Sequence, residues 1–108
     1  HMSLERDTKN YYFIIRGKTK MKLKYKFVMN DVAGKKVAVA VGDDLARFNG
    51  FIKMNDTGAF IFNMLKNDVT EKDITSALLN EYSGVTKEEA ERTVSDFLGQ
   101  LKQSGVID

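Results

Sequence analysis

The chain has 108 residues, no cysteine and a net charge of +2, which describes one domain with room for one modest core. Disulfides, thiolate metal sites and thiol nucleophiles are excluded, and the single histidine, His1, leaves no imidazole-based triad or metal cluster. No apolar run approaches the roughly 20 residues of a membrane span.

His1-Met2 reads as a remnant of cloning. Residues 1–20 form an N-terminal extension and residues 21–108 the domain proper. Within the extension, Tyr11-Tyr12-Phe13-Ile14-Ile15 is a β-prone apolar patch with three open readings: an added strand, a dimer contact or foreign sequence. Monomer and homodimer both stay open. A cysteine-free chain with no signal-peptide core is expected in the cytoplasm.

Leu23 to Met29 alternates, with Leu23, Tyr25, Phe27 and Met29 on one face and Lys22, Lys24 and Lys26 on the other. That is a half-buried strand. Asn30 to Gly34 is turn chemistry. Lys36 to Val41 gives a second strand, its valines on one face and its alanines on the other. A third runs from about Phe48 to Met54, with Gly50 as a bulge or close-approach point. Ile52 and Met54 then point inward, and Phe51 and Lys53 outward.

Asn55, Asp56 and Thr57 are all N-cap types, and the first helix covers about Thr57 to Lys66. Thr70 with Asp73 gives a variant capping box for a second helix ending at Ser83-Gly84; its apolar stripe is Ile74, Ala77, Leu78 and Tyr82. Thr86 with Glu89 caps a third helix reaching about Gln103, with Ala90, Val94, Phe97, Leu98 and Leu101 as its stripe and Gly105 after its end. The order is three strands, then three helices. The fold class is α+β, a winged helix-turn-helix-like arrangement with a three-stranded antiparallel sheet.

Charge is divided along this order. Residues 1–54 carry 12 Lys/Arg against 5 Asp/Glu, and residues 55–108 carry 5 against 10. The basic strand half suits an acidic ligand, although lysines on a solvated strand face give the same count. Catalytic equipment is sparse. Asp43-Asp44 reads as a solvated turn rather than a metal site, and neither phosphate-loop glycine pattern is present. No cofactor is implied, and an enzyme acting alone is the weakest reading. A winged-helix DNA-binding regulator is the alternative function. Against it, Thr86 to Ser104 carries Lys87, Arg92 and Lys102 against Glu88, Glu89, Glu91 and Asp96. A groove-reading helix needs the opposite balance.

Met54-Asn55-x-Thr57-Gly58, Ile61-Phe62-x-x-Leu65 and Val69-Thr70-x-x-Asp73-Ile74, followed by Val94-x-x-Phe97-Leu98-x-x-Leu101 and Gly105-Val106-Ile107, together resemble the pyrroloquinoline quinone (PQQ) biosynthesis protein D family over about residues 21–107. Met54 stands where that family usually has Leu, and Phe62 where Trp is common; both keep apolar volume. The resemblance implies the peptide recognition element of ribosomally made, post-translationally modified peptides. Such a protein is not an enzyme. It binds the leader of a precursor peptide and presents the core to a modifying enzyme, often a radical S-adenosylmethionine enzyme. PQQ is one product among several that the resemblance allows. It also implies that the leader adds as a strand beside the third strand, against the third helix. Strand addition needs only an open edge. The expected peptide-binding residues are Arg47, Phe48, Phe51, Ile52, Lys53, Val94, Phe97 and Leu98, with Arg47 and Lys53 for acidic leader residues. Ile52, Val94, Phe97 and Leu98 serve equally as core.

Overall fold

The computed structural model describes residues 18–108; Tyr11–Ile15 lies outside the described residues. Strand β1 (Lys20–Met21) is followed by β2 (Phe27–Val32), β3 (Lys35–Ala40) and β4 (Phe51–Met54), and a short 3-10 turn (Gly42–Leu45) precedes β4. Helix α1 (Asp56–Met64), strand β5 (Val69–Thr70), helix α2 (Glu71–Glu81) and helix α3 (Lys87–Ser104) complete the chain. The main sheet is antiparallel in the order β2-β3-β4, and β1 pairs separately with β5. The fold is α+β, with helices covering one face of the sheet.

The alternation between Leu23 and Met29 marks the right face: Leu23 and Phe27 are buried, Tyr25 and Met29 half-buried, and Lys22, Lys24 and Lys26 exposed. The strand itself is shifted, because the backbone before Phe27 is bonded elsewhere. Leu23 N–H donates to the Leu65 carbonyl at 2.9 Å and Lys24 N–H to the Val106 carbonyl at 2.8 Å. Lys26 N–H donates to the Asp44 carboxylate at 2.8 Å. The turn is likewise narrower than Asn30–Gly34. Only Ala33 and Gly34 have positive φ, 51° and 81°, the combination a two-residue type I′ hairpin demands.

The third strand is the clearest correction. It begins at Phe51, not Phe48. The Asp44 carbonyl accepts from Arg47 N–H at 3.0 Å and Phe48 N–H at 2.9 Å, so this segment coils instead of extending. Gly50, with φ 132°, then turns the chain into β4. No atom crowds its missing side chain, so Gly50 supplies conformation, not close approach. Phe48 packs its ring on Phe27 and Tyr25 at centroid distances of 5.5 and 6.2 Å.

All three helices start where their caps are. The Asn55 side chain accepts from Gly58 N–H, and reciprocal capping boxes form at Thr70/Asp73 and Thr86/Glu89. The Thr86 N–H bond to the Glu89 carboxylate is the largest cause holding that carboxyl below its ordinary pKa. Alanines 38 and 40 give β3 a flat inner face on which the helices settle. Phe62, Ile61, Leu65, Ile74, Val94, Leu98 and Leu101 fill the space at 2% exposure or less. Burial of this apolar surface is the main drive to fold. After α3 the chain turns at Gly105, and Val106 N–H donates back to the Leu101 carbonyl at 3.2 Å. This closes the helix as a Schellman turn and buries Val106 and Ile107.

Candidate functional site

Strand β4 is the end of the main sheet. Its register with β3 pairs Phe51 with Val39, Ile52 with Ala38, Lys53 with Val37 and Met54 with Lys36. Among the described residues no strand pairs with its other side. An unpaired strand edge offers alternate N–H and C=O groups to an incoming chain.

Beside that edge lies a groove of about 300 Å3, lined by Lys53, Met54, Asn55, Thr57, Gly58 and Ile61 on one side and by Thr93, Asp96, Phe97 and Gln100 of α3 on the other. The α3 members are spaced i, i+3, i+4, i+7, so they form one helical stripe. This stripe sits next to the core stripe of Ala90, Val94, Leu98 and Leu101, which is buried. The groove is tight at its base. A Cβ built on Gly58 would lie 3.0 Å from Phe97 Cε1 and 3.1 Å from Met54 Cβ, so the bare glycine backbone lets α1, α3 and β4 converge there.

The expected site residues separate into distinct environments. Phe97 lines the groove and is half-buried, and Lys53 borders it from the strand. Ile52 points inward, half-buried against the core, while Phe51 points outward and is exposed. The Lys53 ammonium lies over the Phe51 ring, 5.8 Å from its centroid. Val94 and Leu98 are core residues at 0% and 2% exposure and do not line the groove. Phe48 belongs to the aromatic packing under the sheet. Arg47 is engaged by Asp44, Nη1 to Oδ1 at 2.8 Å. Asp44 is thus more than solvated punctuation: its carboxylate also accepts from Lys26 N–H. These two bonds, the backbone one first, hold its pKa below the usual carboxylate value.

Sequence reasoning missed Thr93, Asp96 and Gln100, because polar residues beside a core stripe look like ordinary helix surface. Their signal was their spacing around Phe97. A second hollow of about 590 Å3 lies among Lys22–Phe27, Asp44 and Lys66, on the basic approach to β2. Among the described residues no group of three or more acidic or histidine side chains is arranged to hold a metal ion. No helix among them is long and apolar enough to cross a membrane.

A family model described as coenzyme PQQ synthesis protein D (PqqD) matches residues 27–107. No curated protein matches in sequence. Two solved structures share the fold. One is described as TbiB1 in complex with the TbiA(beta) leader peptide, with a TM-score of 0.63 and 21% identity over 81% of this chain and 94% of that one. The other is lasso peptide synthetase B1 complexed with the leader peptide, with a TM-score of 0.61 and 23% identity over 82% and 96% of the respective chains.

Proposed function

The chain belongs to the coenzyme PQQ synthesis protein D family, and from that membership we propose that it is a non-catalytic adaptor. It takes the leader of a ribosomal precursor peptide as a fourth strand beside β4 and presents the rest of the precursor to a modifying enzyme. The observation that carries this reading is the edge of β4, unpaired among the described residues, next to the groove beneath α3. Both similar structures are complexes with leader peptides, which supports the same use of the fold. A radical S-adenosylmethionine enzyme is the modifying partner we favour. The cytoplasm, where precursor peptides are made, is the compartment.

Backbone pairing supplies affinity with little demand on sequence, about 0.5–1.5 kcal/mol net per hydrogen bond. The groove supplies selection through Phe97, Ile61 and Met54. One strand and one helical face make a small interface, on the order of 1,000–1,200 Å2 in total. Ordering a leader that is free in solution costs part of that gain. Affinity is therefore expected between roughly micromolar and tens of nanomolar. Calorimetric titration with precursor leader peptides taken from short reading frames next to this gene tests the proposal. Saturable heat in that range supports it; no heat at about 100 µM peptide, with the protein folded, overturns it.

A further inference from the structure

The outward face of the sheet has a feature that edge pairing alone does not use. Register places Val28 opposite Val39 and Val39 opposite Phe51. These three side chains make a straight apolar row across the whole sheet, on the side away from the helices. The row ends at the free edge with Phe51, 59% exposed, and begins with Val28, 44% exposed. The next outward row is Asn30, Val37 and Lys53. It ends at the same edge with a cation, which already leans over the Phe51 ring. The inward side of the edge is different: its groove holds Phe97 and Met54 together with the carboxylate of Asp96.

A strand added to β4 inherits this geometry. Side chains alternate between faces, so outward positions fall two residues apart, and each meets one row. We propose that the bound leader is read on both faces by a code of period two. One outward residue, beside Phe51, is large and apolar and extends the row to four. The outward residue beside Lys53 is Asp or Glu. Inward residues between and around them are not acidic, because they face Asp96 and Phe97. The sheet is antiparallel throughout, and a leader that continues the pattern runs opposite to β4. It meets Lys53 first, so the acid precedes the apolar residue by two positions. This inference rests on the leader-binding reading; beside the selection made by the groove, it gives Phe51 and Lys53, both expected from the sequence to meet the peptide, a fixed order and spacing on its outward face.

Display selection of random 15-residue peptides tests the code with no knowledge of the natural precursor. The folded protein is screened in parallel with its Lys53→Glu and Phe51→Thr variants, each first shown by thermal melting to be folded. Wild type is expected to enrich acid-x-apolar sequences. Lys53→Glu is expected to exchange the acid for Lys or Arg while keeping the apolar residue, and Phe51→Thr to lose the apolar preference alone. A winning wild-type peptide should bind the Lys53→Glu protein about fivefold more weakly, and its acid-to-Lys counterpart should recover the loss. Peptides enriched alike on all three proteins, with equal affinities, overturn the code while leaving edge binding intact. No enrichment on any of them overturns edge binding itself, and the code with it.

Discussion

At the scale of single residues, the groove depends on what position 58 lacks. Gly58 is the third residue of α1, and its N–H is held by the Asn55 side chain at 2.8 Å. Alanine there would crowd Phe97, Met54 and also Asn55 Oδ1, at 3.0, 3.1 and 3.3 Å. Overpacking of this kind costs about 1–3 kcal/mol, against a helix-propensity gain of at most about 1 kcal/mol. Gly58→Ala is therefore expected to lower stability by about 1 kcal/mol in urea denaturation and to push the Phe97 ring into the groove, weakening leader binding. An unchanged midpoint with unchanged affinity would show that the convergence at Gly58 is slack. Phe97 was legible as an apolar residue on a helical stripe, but the reason for its placement was not. Its contact with a glycine 39 positions earlier is tertiary, and nothing local to either residue announces it.

At the scale of elements, helices and strands differ in how much of themselves they declare. The caps at Asn55, Thr70 and Thr86 are local chemistry, so each helix start could be read within a residue of its place. Strand limits depend on distant partners. Residues 23–26 look like a strand and face correctly, yet the N–H groups of Leu23, Lys24 and Lys26 serve Leu65, Val106 and Asp44. The pairing of β1 with β5 joins Met21 to Val69, a contact with no pattern in either two-residue segment. The hairpin between β2 and β3 has one residue at odds with its turn. Ala33 holds φ 51°, a left-handed conformation that costs an alanine about 1–2 kcal/mol and asparagine less. Ala33→Asn is expected to raise stability by about 0.5–1 kcal/mol, read as a higher urea midpoint with the same slope. A lower midpoint would mean that the turn is not type I′ in solution.

At the scale of the whole molecule, one face of a small sheet is used for folding, and among the described residues no strand pairs with the outer edge of β4. Among the described residues the division of charge read from the sequence persists in three dimensions. Exposed lysines flank the approach to β2, while α3 carries its acids outward and Asp96 into the groove. That placement disfavours a nucleic acid on α3 and favours a peptide whose two sides differ in charge. The tie between Lys24 and Val106, reinforced by an ion pair from Lys24 to Asp108 at 3.2 Å, has a consequence for protein engineering. The first described strand and the final residues leave the body at one corner. A circular permutant that joins Asp108 to Thr19 through a short glycine-serine bridge, and opens the chain at the exposed Ser83-Gly84 bend, should keep its cooperative melt and its free β4 edge. Loss of folding in that rearranged chain would mean that continuity between α2 and α3 matters more than the corner shared by β1 and the final residues.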